Sequence, residues 1–192
     1  MKKFLAVAMV LVLALGFTGC GKKNEDQVVE KEKPTVEVKE EEVVVEEEAE
    51  KTVNYVLYLK YKNEPFLVDY MYEVSSKDND LEEMGVERYS LERLFDFPGD
   101  DMMVTPVPEG VKVLGLTIEN MTAKVDISSN IFDSKLSKEE GKILLSSIVN
   151  TLVIHETIDN VEIYVDGNKL DEFFGNSVSA PVEFIGDVFP EK

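Results

Sequence analysis

The chain has 192 residues, 44% of them hydrophobic, and carries 39 acidic against 20 basic side chains for a formal net charge of −19. That length allows one domain with an ordinary core plus appendages, while the charge excludes nucleic acid as a partner and any attachment to anionic lipid or wall polymer through a basic patch, because both need clustered cations. Cys20 is the one cysteine, which excludes an intrachain disulfide and a zinc site built on several thiolates.

Lys2 and Lys3 precede an apolar run from Phe4 to Phe17. The run is shorter than the roughly twenty residues a stable membrane span needs, so residues 1–19 read as a signal peptide. It ends in Phe17-Thr18-Gly19-Cys20-Gly21, which resembles the lipobox of bacterial lipoproteins, with Phe17 where Leu is usual. The resemblance implies that Cys20 is lipidated and becomes the mature N-terminus, holding the protein to the extracytoplasmic face of the cell membrane. Each buried acyl methylene would contribute about 0.8 kcal/mol to that anchor. Residues 20–51 are then the lipidated cysteine and a tether dominated by Glu, Val and Lys, with Pro34 interrupting and no aromatic residue. Such a segment buries too little apolar surface to offset its conformational entropy, and its like charges extend it.

Residues 52–192 are the expected domain. Val53, Tyr55, Leu57 and Leu59 alternate with their neighbours, and Phe66, Val68, Tyr70 and Tyr72 alternate again after Lys62-Asn63-Glu64-Pro65, which predicts two strands joined by a polar turn. Ser75 to Glu83 reads as an acidic loop, and Val86, Tyr89, Leu91 and Leu94 as a first helix ending before Pro98-Gly99. Two strands, Val111 to Ile118 and Thr122 to Ile127, meet at Glu119-Asn120. Ser137-Lys138-Glu139-Glu140 has capping-box spacing and starts a second helix with Leu144, Leu145, Ile148, Val149, Leu152 and Val153 on one apolar stripe. Val161, Ile163 and Val165 then alternate up to the turn at Asp166-Gly167. The order strand, strand, helix, strand, strand, helix, strand predicts a two-layer α+β domain, its sheet mixed or antiparallel and both helices on one sheet face.

The candidate chemistry is sparse. His155 is the only histidine and follows the long helix, where a cationic imidazole would cap the helix C-terminus. A metal site or nucleophilic triad needs partner residues that a lone His does not supply. Asp78, Asp80 and Glu82 begin like a calcium loop, yet Glu83 stands where glycine is required and Tyr89 where the bidentate glutamate is required, so the template fails. Asn150 lies inside the apolar helix and needs hydrogen-bond partners, which a neighbouring loop backbone could supply. Phe173 and Phe174 are adjacent and, in a strand or turn, would not both face one core. One of them is therefore a candidate partner surface, with packing under the C-terminal tail as the alternative.

Four pieces carry a resemblance: Thr105-Pro106-Val107-Pro108-Glu109-Gly110-Val111-Lys112-Val113-Leu114, Ala123-Lys124-Val125-Asp126-Ile127-Ser128, Ser147-Ile148-Val149-Asn150-Thr151-Leu152 and Val161-Glu162-Ile163-Tyr164-Val165-Asp166-Gly167. In this order they resemble the GerMN domain of extracytoplasmic bacterial lipoproteins. The resemblance implies a fold similar to ring-building motifs and a role in envelope or spore assembly. It brings no catalytic site, no cofactor and no small-molecule substrate. The expectation is a non-enzymatic interaction domain, contacting the membrane through Cys20 and either another envelope protein or, weakly, copies of itself. A peptidoglycan-binding module or a wall hydrolase is the alternative.

Overall fold

The computed structural model describes residues 51–190; the expected signal peptide, Cys20 and nearly all of the tether lie outside them. The described chain opens with β1 (Thr52–Tyr61) and β2 (Leu67–Ser75), paired antiparallel with Leu57 opposite Tyr70 and Leu59 opposite Val68. Leu57 and Leu59 of β1 are buried and Tyr55 packs against the core with them, as alternation predicts, but Tyr58 on the opposite face is buried too, against Leu67, Ile143 and Val188. Between the strands the polar turn places Asn63 at a φ of 63°.

Helix α1 (Asn79–Phe95) begins earlier than its apolar residues suggest. The Asp78 carboxylate accepts a hydrogen bond from the Leu81 amide at 3.0 Å, and Asp80 and Glu82 in the first turn favour the positive end of the helix. The expected acidic loop is therefore largely a capped helical turn. Gly85, with φ of 77° and ψ of 161°, breaks the helix between that turn and the apolar part, a conformation that glycine reaches without a Cβ penalty.

A two-residue strand, β3 (Met103–Val104), pairs with the end of β1. Next, β4 (Val113–Glu119) and β5 (Thr122–Ile127) form the expected hairpin, turned by Asn120 and Met121, both at positive φ. A 3-10 turn (Ser129–Asp133) leads to α2 (Lys138–Val153), whose capping box is complete: the Glu140 amide donates to Ser137 Oγ at 3.2 Å and the Ser137 amide to Glu140 Oε2 at 2.8 Å. Hydrogen bonding of the Glu140 carboxylate by the Ser137 amide, and next by the Ser137 hydroxyl, also holds that carboxyl below its usual range. Strand β6 (Asn160–Val165) returns parallel to β5, the direction a helical crossover allows. Asp166 and Gly167 then turn the chain into β7 (Asn168–Lys169), followed by a small hairpin, β8 (Glu172–Phe173) and β9 (Asn176–Ser177).

The class is α+β with antiparallel and mixed pairing, as expected. The strands, however, divide between a three-stranded sheet, β2-β1-β3, and a four-stranded sheet, β4-β5-β6-β7. Helix α2 explains the division. Lys60 and Tyr61 of β1 pair with β3, and Tyr58, on the same edge as Lys60, is met by the helix instead: its amide donates to Thr151 Oγ1 at 3.1 Å and its carbonyl accepts from Ser147 Oγ at 2.5 Å. Ser147 and Thr151 are four apart and so share a helix face; both are fully buried. Their hydroxyls stand where a neighbouring strand would be. Consequently α2 packs on β1, on β6 and on α1, and every residue from Ile143 to Leu152 is buried, where a single stripe was expected. One core joins Leu57, Leu59, Leu91, Leu94, Val125, Ile127, Leu144, Ile148, Leu152, Val161 and Ile163. Burying each such side chain contributes about 1.5–3 kcal/mol.

Candidate functional site

Of the residues singled out in the sequence, Cys20 lies outside the described residues. Phe173 is not a partner surface: it is fully buried, 4.9 Å from the Phe174 ring and 6.3 Å from that of Phe132, centroid to centroid. The reason is the turn. Phe174 and Gly175 occupy the two positive-φ positions between Phe173 and Asn176, so the adjacent phenylalanines are not in one continuous strand. Phe174 is half-buried, and its Cβ would lie 2.3 Å from a Cβ on Gly141 of α2. The aromatic that reaches solvent here is Phe132, 45% exposed. No periodicity marked it, because it sits in a single 3-10 turn.

Asn150 has the role its burial required. Its Nδ2 donates to the Ile185 carbonyl at 3.0 Å and its Oδ1 accepts from the Ile185 amide at 2.9 Å. The side chain thus acts like a strand partner for the C-terminal tail, which also pairs Val182 with Val161, ties Asp187 to Lys142 and receives the Leu67 amide on the Val188 carbonyl.

His155 is not a cationic cap. Its Nε2 lies 3.2 Å from Ser90 Oγ, linking α2 to α1, and burial pushes its pKa below the ordinary value, with Glu87 opposing. Ser90, His155 and Glu87 superficially suggest a nucleophile, base and orienting acid. The geometry does not serve that chemistry, since Ser90 is fully buried and its hydroxyl donates to the Val86 carbonyl at 2.6 Å. Glu87 is engaged by Thr157 Oγ1 at 2.7 Å.

Two concave regions stand out among the described residues. A cleft of about 640 Å³ opens beside the first turn of α2, with Val104, Pro106, Leu136, Ile143 and Val188 forming apolar parts of its lining and Lys60, Glu64 and Glu139 among its charged groups. A shallower, more polar hollow of about 470 Å³ lies between Asp159, Asn160, Glu183 and Phe184. The outer edges of β2 and β4 are the ends of their sheets. Among the described residues, no helix is long and apolar enough to cross a membrane.

The family profile described as "Germane: Sporulation and spore germination" matches residues 22–171, well over half of the chain. The chain belongs to this family. The four sequence pieces fall on the lead-in to β4, on β5, on the buried centre of α2 and on β6 with its turn. Two solved structures share the fold. One, titled "Tandem GerMN domains of the sporulation protein GerM from Bacillus subtilis", is 23% identical with a TM-score of 0.57; the match covers 69% of this chain but 46% of that one. The other, titled "First GerMN domain of the sporulation protein GerM from Bacillus subtilis", is 22% identical with a TM-score of 0.53, covering 71% of this chain and 96% of that one. No match is found among the curated proteins.

Proposed function

We propose that this Germane-family chain is a lipoprotein held to the extracytoplasmic face of the cell membrane by Cys20, and that residues 52–192 form a non-enzymatic interaction domain serving envelope assembly during sporulation or spore germination. The observation that carries the reading is the family match across residues 22–171 together with the fold shared with a GerMN domain. The side chains that would have suggested chemistry also have structural work: Asp78 caps α1, Glu140 closes the capping box, and Ser90 with His155 joins the two helices. The anchor rests on the small residues before Cys20 and the apolar run that leads to them. Fractionation of cells carrying Cys20→Ala tests it: the expected result is release from the membrane, and an unlipidated variant that stays membrane-bound would sink the anchor.

A second reading is favoured by one feature, the cleft beside α2, whose volume falls in the range of small-ligand sites. In that reading the domain binds or cuts wall peptidoglycan. Sedimentation with insoluble peptidoglycan separates a wall binder from a protein binder. Release of soluble fragments from purified wall, lost in Glu64→Gln or Glu139→Gln, would establish the hydrolase in place of the interaction domain.

A further inference from the structure

A free strand edge offers unpaired amides and carbonyls to another chain, and folded proteins usually cover it, charge it or keep it short. Three edges of this domain follow that rule. The open side of β1 is met by Ser147 and Thr151 of α2. The start of β2 is held by the tail at Val188, and Asp69 and Glu73 place charge along the rest. Strand β7 is two residues long and includes Lys169, ion-paired with Glu162 at 2.7 Å.

The seven-residue strand β4 departs from the rule. It ends its sheet, and a bulge between Val113 and Gly115 bends only its start. In a two-residue hairpin Glu119 and Thr122 make the closing hydrogen-bonded pair, so Leu116 and Ile118 turn their amides and carbonyls outward. Nothing among the described residues bonds to them there. The strand's one charge, Glu119, is paired with Lys124 at 2.6 Å, while Leu114 and Ile118 are 48% and 38% exposed. This apolar edge belongs to a stretch, residues 51–192, with 27 acidic against 13 basic side chains.

We infer that β4 is a homotypic pairing edge, joining two copies of this chain β4 to β4 in antiparallel fashion and fusing their four-stranded sheets into one. The inference rests on the interaction-domain reading and names its surface. A second copy fits because the segment complements itself. Lys112, which has no ion-pair partner among the described residues, precedes β4, and Glu119 ends it. Antiparallel pairing runs the Lys112 end of one copy toward the Glu119 end of the other, with apolar Leu114, Leu116 and Ile118 between. The acidic remainder of each copy repels the other, so the pairing is weak and strengthens as salt screens that repulsion.

Sedimentation velocity of the full chain in detergent, across protein and salt concentrations, tests this. The parent should form dimers whose share rises with salt. Leu114→Lys and Ile118→Lys each make the chain less acidic, so relief of general repulsion would strengthen association; edge pairing predicts instead that the dimer weakens by about tenfold or more. Ile118→Pro removes an outward amide without breaking the ladder to β5 and should also weaken the dimer, which guards against a lysine variant that misfolds. All variants share the parent's anchor, so micelle-driven association is common to them. A parent monomeric at every salt, or folded lysine and proline variants that dimerise as the parent does, would overturn the pairing. Release of wall fragments by the same full chain would overturn the interaction-domain reading whatever the sedimentation result.

Discussion

Met121 occupies the second position of the β4–β5 turn at a φ of 60°, after Asn120 at 51°. Asparagine tolerates that left-handed region; an ordinary L side chain is disfavoured there by about 1–2 kcal/mol. Met121 is 44% exposed, so it has little burial to set against the strain. Met121→Gly should therefore stabilise the domain by about 1 kcal/mol, read as a higher denaturation midpoint with unchanged slope. At His155 the relevant quantity is a proton. Burial lowers its folded pKa, so the unfolded chain binds the proton more readily. The stability this group contributes is present above its unfolded pKa and is lost as pH falls through the lower folded value. Between pH 7 and pH 5, above the range in which most carboxylates titrate, the parent should lose stability and His155→Gln should lose less. Parallel slopes for the two proteins would refute the assignment.

At the scale of elements, α2 shows what sequence reasoning reaches and where it stops. The capping box and the apolar positions were legible because both are local patterns of fixed spacing. The all-round burial was not. Ser147 and Thr151 look like solvent-facing polar residues, and only the tertiary structure reveals that they face the open edge of β1. Thr151→Val keeps the shape and removes the acceptor, leaving the Tyr58 amide unsatisfied, so it should cost about 1–3 kcal/mol in denaturant unfolding. Gly141 inverts a propensity argument. Alanine is the better helix former by about 1 kcal/mol, yet a Cβ there would meet Phe174 Cβ at 2.3 Å. Gly141→Ala should thus destabilise the domain by about 1–3 kcal/mol, and by less in a Phe174→Gly background, where the opposing atom is gone. Which of Phe173 and Phe174 faces the core was not legible for a related reason: it depends on the turn that the positive φ values at Phe174 and Gly175 place between Phe173 and Asn176.

Across the whole molecule the α+β class and the order of the two helices and five longer strands could be read from periodicity, because each of those carries its own alternation or stripe, whereas the two-residue strands β3, β7, β8 and β9 are too short to carry one. The split into two sheets could not, since it depends on which edge a helix covers. Charge operates at this scale too, and two effects compete. The ion pairs Arg88–Glu92, Arg93–Asp80, Lys124–Glu119, Lys142–Asp187 and Lys169–Glu162 all involve side chains with solvent access. Pairs of that kind contribute about 0–1 kcal/mol each, and salt screens them. Against them stands the excess of 27 acidic over 13 basic side chains in residues 51–192, a repulsion that salt also screens. The pairs lose attraction at short range, where screening is least effective. The net charge loses repulsion over distances beyond the Debye length, which contracts from about 30 Å at 0.01 M to about 3 Å at 1 M salt. Relief of repulsion should win, so the thermal midpoint should rise with sodium chloride at neutral pH. Running the series at a protein concentration low enough to keep the chain monomeric separates this effect from stabilisation by dimer formation. A midpoint that falls as salt is added would mean that the ion pairs outweigh the net charge.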